Sequence, residues 1–286
     1  MIEARQRDVG GFFVRRALPS AQQKLVGPFI FYDHLCRVDF AVGQGLDVRP
    51  HPHIGLATVT YLFEGAFMHK DSLGNAQRIE PGAVNWMISG RGIAHSERTP
   101  PELRATGGPL HGIQCWVALP REHEQVEPSF THHPRATIPR LTRPGVELSV
   151  IAGSAYGEQS PVRVLSPTLY VHARLAAGAT LAVDDQHAER AVYVAAGTLA
   201  LGADGREYTE GSLLVLPANQ PVELVSRGGA DAMLLGGAAL DGERHIYWNF
   251  VASSRERLER AKDDWRAGRF GKVVGDELEF IPLPEP

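Results

Sequence analysis

The chain has 286 residues, 43% hydrophobic and 22% charged, with a formal net charge of −4 at neutral pH and two cysteines, Cys36 and Cys115. This profile fits a globular protein with room for one large domain or two of ordinary size. It excludes a charge-driven nucleic-acid binder and a disulfide framework, and both cysteines read as small buried hydrophobes.

The N-terminus, Met1-Ile2-Glu3-Ala4-Arg5, lacks the apolar core of a signal peptide, and no apolar run is long enough to span a membrane. The expectation is a cytoplasmic protein with no membrane partner and no direct nucleic-acid partner. Short apolar runs at 57–63, 84–88, 114–119, 192–194 and 213–216 lie between frequent turns, and the chain holds 30 glycines and 20 prolines. Many short strands separated by turns predict a sandwich or a barrel.

His34 comes first among the histidines that matter. It is a candidate to hydrogen-bond behind a metal site, against the simpler reading of a local turn contact. Next come two prongs, His51-Pro52-His53 and His95-Ser96-Glu97. In an extended strand, residues i and i+2 share a face and lie about 6.6 Å apart. If neighbouring strands carry the prongs, three imidazoles and one carboxylate converge, a full ligand set for a divalent transition metal. Between the prongs, His69-Lys70-Asp71-Ser72-Leu73-Gly74 reads as a hairpin turn. Gln114 is a candidate to point into the cavity. His132-His133-Pro134 reads as a polar interdomain linker.

The glycines carry a repeat. Gly45, Gly65 and Gly82 recur as Gly178, Gly197 and Gly211, at offsets of 133, 132 and 129 residues. This predicts a duplication of a domain-sized unit, with domains at 1–134 and 135–286. The second copy lacks the ligands: Asp184-Asp185-Gln186 and Val222 stand near the places of the histidines. His187 and Glu189 have prong spacing but no second prong, which places them in an exposed hairpin. At the end of the chain, Ser253-Ser254-Arg255-Glu256 offers a capping box. Leu258, Ala261 and Trp265 follow at helical spacing, and Gly268 is placed to stop the helix.

Gly45, five residues, His51-Pro52-His53 and the later Gly65 resemble the first motif of the cupin superfamily. Thr58 stands where that motif carries a glutamate. Pro81-Gly82, Ser89-Gly90 and His95 resemble the second motif, without its inner proline, and Glu97 can supply the missing carboxylate. Longer stretches resemble the pirin family in particular. They include His51-Pro52-His53-Ile54-Gly55-Leu56, Met87-Ile88-Ser89-Gly90-Arg91-Gly92-Ile93-Ala94-His95-Ser96-Glu97 and Leu110-His111-Gly112-Ile113-Gln114-Cys115-Trp116-Val117.

The resemblance implies an all-β bicupin: two tandem β-barrels of the double-stranded β-helix or jelly-roll type, plus a short C-terminal α-helix. It implies one metal, normally Fe(II), with Zn, Ni, Co, Mn or Cu as alternatives, held by His51, His53, His95 and Glu97. The implied activity is that of a quercetin 2,3-dioxygenase, with a flavonol and dioxygen as substrates; Glu97, the only carboxylate in the expected ligand set, is the candidate proton acceptor. The implied alternative is a metal- or redox-responsive regulatory protein that binds an enzyme or transcription-factor partner without turnover.

Overall fold

The run at 57–63 carries Thr58 and Thr60 between apolar residues, yet both faces of its strand are covered. Leu56–Glu64 is buried over its first seven residues. In the computed structural model, which describes residues 1–9, 12–202 and 205–285, this strand lies between Val84–Ile88 and Gly108–Ala118, both antiparallel to it. Ser129–His133 pairs with the far side of Val84–Ile88. A second antiparallel sheet runs Asp47–His53, Ile93–Arg98, Phe67–Asp71, Ala76–Ile79. Both predicted prongs are on it, on its first two strands.

Contacts divide the chain into two units that do not follow chain order. One joins Met1–His34 to Ala136–Ala239, the other Leu35–Arg135 to Leu240–Pro286. The consecutive division into 1–134 and 135–286 differs from this grouping at both chain ends. Ile2–Glu3 pairs with Ser212–Val215, and the C-terminal helix joins a cluster containing Ile54 and Ala94. Neither long-range contact leaves a trace in local composition. In the first unit the main strand order is Arg140–Arg143, Val146–Ala155, Thr168–Leu175, Ala230–Gly237, Glu189–Leu201, Ser212–Val215, Ile2–Glu3. Its core is aliphatic, with Val150, Val171, Val192, Leu214 and Leu234 all buried.

The repeat has a structural cause at two of its three glycine pairs. Gly65 and Gly197 both adopt left-handed backbone, with φ of 81° and 72°. A Cβ on either would sit 2.4 or 2.2 Å from the carbonyl oxygen of Pro109 or Gly229, so only glycine fits. Gly82 and Gly211 are also left-handed, whereas Gly45 is not.

In the second copy a cation stands among the vestiges of the ligand motif. The buried Arg190 donates to the carbonyls of Asp184, Pro217 and Gln220. Residues 184 and 217–220 are the segments around which the lost ligands would stand. His187 is half-buried and bonds the Ser154 carbonyl, while Glu189 accepts from Gly27 N.

The C-terminal helix spans Arg255–Arg266. Its cap is Ser254, which accepts from Arg257 N at 3.2 Å, while Ser253 bonds Glu124 instead. Gly268, at φ 69°, donates to Trp265 O and ends the helix. Leu258, Ala261 and Trp265 pack with Ile54, Ala94 and Phe250, so the apolar stripe faces its own unit. Leu258→Ala is therefore expected to lower unfolding free energy by about 2–5 kcal/mol, checked by urea denaturation. A loss below about 0.5 kcal/mol would contradict this packing.

A further helix, Pro101–Thr106, was not expected. It buries no residue and so has no periodic signal, although Pro101 opens it and Glu102 lies in its first turn. No helix among the described residues is long and apolar enough to cross a membrane.

Candidate metal centre

His51 faces His95 directly across the antiparallel pair, and His53 faces Ile93. Beyond His95 the register slips, so that Glu97 pairs with Val48. Pro50 lies inside the slipped segment, and without an N–H it cannot complete a regular ladder. On its other edge the His95 strand pairs with Phe67–Asp71, placing His95 opposite Asp71 and Glu97 opposite His69.

His51, His53 and His95 are buried, at 6%, 1% and 1% exposure. One ring nitrogen from each lies within 4.8 Å of the others. Ring centroids are 5.0 Å apart for His51 and His53, 4.4 Å for His51 and His95, and 5.0 Å for His53 and His95. Among the described residues this is the one such group of His, Cys, Asp and Glu side chains.

Burial pushes all three imidazoles below their usual range, His53 and His95 well below it. For His51, its bond to the Arg49 carbonyl and the charge of Glu97 oppose the shift in part. At neutral pH the three rings are uncharged and carry lone pairs. His51 donates from Nδ1 to Arg49 O at 2.9 Å, which leaves Nε2 as its free ligand atom. His95 Nδ1 lies 3.4 Å from His69 Nδ1, and the buried His95 Nε2 has no hydrogen-bond partner. A buried ring nitrogen with a lone pair and no donor is costly unless something binds it. The three residues therefore fit a metal ion.

Glu97 is buried beside them, but its oxygens do not fall inside the three-histidine group. Oε1 accepts from Thr60 Oγ1 at 3.1 Å and Oε2 from Gln114 Nε2 at 2.6 Å. Gln114 thus meets Glu97.

Three sequence readings change here. His34 lies within strand Phe29–Phe40, not in a turn, and its Nδ1 is 3.0 Å from Tyr193 Oη. His132 and His133 end a strand, not a linker, and His132 Nδ1 meets Asn85 Oδ1 at 2.7 Å. His69 is not in the turn but in strand Phe67–Asp71, 3% exposed, with Nε2 at 3.1 Å from Asp71 Oδ2. It was missed because the turn chemistry of Asp71 to Gly74 masked it. Its signal was present all the same: His69 and Asp71 have the two-residue spacing of the prongs.

Two β-units, one with three converging buried histidines, define a bicupin protein with a candidate metal site. Comparison with known families makes this specific. The family model described as Pirin matches residues 11–117, and the Pirin C-terminal cupin domain matches residues 170–271. The chain belongs to the pirin family. It is similar to a pirin-like protein of Caulobacter vibrioides, 47% identical over 288 residues, covering 100% of this chain and 99% of the relative. It is 30% identical to pirin of Rattus norvegicus over 95% of this chain and 92% of the relative. A crystal structure of quercetin 2,3-dioxygenase from Acinetobacter baumannii is 32% identical, with a TM-score of 0.92, covering 99% of this chain and 94% of that one.

Proposed function

We propose that this protein is a metal-dependent dioxygenase that opens a flavonol such as quercetin at a mononuclear centre. The ligands proposed are His51, His53, His95 and Glu97. The observation that carries the reading is the buried trio of neutral imidazoles with an orphaned nitrogen on His95. The likeness to the Acinetobacter quercetin dioxygenase supports the substrate class.

A bound divalent ion would supply Lewis-acid stabilisation of the deprotonated flavonol and access to dioxygen chemistry. Fe(II) is the metal proposed, with Ni, Co, Mn, Cu and Zn as alternatives, since affinity alone does not select among divalent first-row metals. The residues of the chain do the rest. The three uncharged rings and one carboxylate leave a net charge of +1, which attracts a flavonolate. Glu97 takes the hydroxyl proton of the substrate, and Thr60 and Gln114 hold its carboxylate in place. The buried walls around the histidines keep them dry.

In the proposed reaction one dioxygen is consumed, the heterocycle opens, one ring carbon leaves as carbon monoxide, and a phenolic ester remains. The test is aerobic incubation of quercetin with protein loaded in turn with iron, nickel, cobalt or copper. Loss of flavonol absorbance with stoichiometric carbon monoxide is expected. Quercetin left intact by every metal-replete form sinks the catalytic reading and leaves the regulatory alternative.

A further inference from the structure

We infer that His69 and Asp71 are positioning residues that present His95 to the metal through its Nε2 atom; this rests on the metal centre proposed above. Asp71 is fully buried, and both of its oxygens are engaged. Oδ1 accepts from Leu73 N at 2.9 Å and Asn75 N at 3.0 Å. Oδ2 accepts from Asn75 Nδ2 at 2.8 Å and faces His69 Nε2 at 3.1 Å. A carboxylate held in this way accepts from His69 Nε2, so the tautomer that fits the geometry carries its proton on Nε2 and turns the Nδ1 lone pair toward His95.

That lone pair faces His95 Nδ1 at 3.4 Å. Two unprotonated nitrogens at this distance would repel, so His95 carries its proton on Nδ1 and donates to His69. The lone pair of His95 is then on Nε2, the buried atom left without a protein partner. Phe130 stacks on the His69 ring with centroids 4.2 Å apart and planes 11° from parallel, which fixes the orientation of the chain of bonds. His69 and Asp71 are two residues apart on one strand, and Asp71 lies directly opposite His95 in register. Backbone pairing thus aligns the Asp71–His69–His95 series as it aligns the two prongs. Ligating histidines held from behind by a hydrogen-bonded partner bind metal about 10–100-fold more tightly than those without one.

The test uses Co(II) as the probe, with affinity read by competition against a chromophoric chelator. His69→Phe keeps an aromatic ring on Phe130 but removes the acceptor, and is expected to weaken Co(II) binding about 10–100-fold. His69→Asn loses the stack but places Oδ1 where Nδ1 stood, and is expected to recover most of that loss. If His69 only fills space, the order reverses: phenylalanine binds normally and asparagine weakly. That reversal, or equal affinity in all three proteins, would overturn the proposal. A second measurement does not depend on how the variants fold. In 15N-labelled wild-type protein loaded with Zn(II), the His95 side-chain proton is expected on Nδ1; a proton on Nε2 overturns the assignment. If wild-type protein binds no Co(II), or binds it equally after His51→Ala, the metal centre itself is wrong and the positioning role falls with it.

Discussion

His51→Ala is expected to abolish tight metal binding and quercetin turnover while leaving the protein folded. The ring contributes one nitrogen to the three-histidine group, and its own Nδ1 is anchored on Arg49 O at 2.9 Å, which fixes the direction of that nitrogen. Loss of a residue that merely supports a ligand weakens metal binding by about 10–100-fold, so loss of a ligand exceeds the upper end of that range. The fold does not depend on the histidine. The second copy of the duplication keeps its sheets and aliphatic core with Asp184, Asp185 and Gln186 in the corresponding region. Metal affinity, carbon monoxide yield and thermal unfolding of wild type and variant check this together. Retained turnover in His51→Ala, or a variant that fails to fold, would contradict the assignment.

The second large effect is on acid stability without metal. His51, His53 and His95 have folded-state pKa values depressed by burial. Above about pH 6.5, folded and unfolded chains both hold them neutral, and their contribution to stability is fully present. As pH falls below that value the unfolded chain takes up protons that the folded, metal-free chain refuses. Each histidine held well below its usual range adds a slope of about 1.36 kcal/mol per pH unit, so His53 and His95 together approach about 2.7 kcal/mol per unit, and His51 adds to the loss in the same direction. Carboxylates held below their usual range, such as Asp71, act only at lower pH than the window from about pH 6.5 down to about pH 5, whereas Asp33, raised by burial, acts with the opposite sign toward the lower end of it. His132 and His133 are also depressed by burial but are only half-buried, and a control variant separates them.

Urea unfolding of chelator-treated protein across that window measures the slope directly. His53→Leu is expected to reduce it by about one proton. Stability that stays flat or rises as pH falls would show that the rings are not held neutral. Bound metal competes with the same protons, so the loaded protein should resist acid further before releasing its ion.

The site was legible because strand spacing is a local property. Period two places His51 with His53 on one face of a strand without knowledge of the rest of the chain, whereas the meeting of His95 with them depends on the pairing of two strands. The repeat was legible through Gly65 and Gly197, whose left-handed backbone excludes other residues in both copies. The exchange of chain ends between the units was not legible, since the pairing of Ile2–Glu3 with Ser212–Val215 depends on contacts across the whole chain. His69 was hidden for a different reason. Asp71 belongs at once to a strand and to the turn that follows, and turn chemistry dominates a short sequence reading. Glu97 is an intermediate case: spacing predicted its face, but the slip after His95 and the bonds from Thr60 and Gln114 depend on neighbouring strands.

The most direct measurement of the central claim is an anomalous-difference map from crystals of the protein loaded with Fe(II) under anaerobic conditions. One peak per chain is expected, with the nitrogens of His51, His53 and His95 and an oxygen of Glu97 each within about 2.0–2.2 Å of it, the usual range for first-row metals on these ligands. A peak lying elsewhere, or no peak at these histidines in metal-replete crystals, would contradict the account.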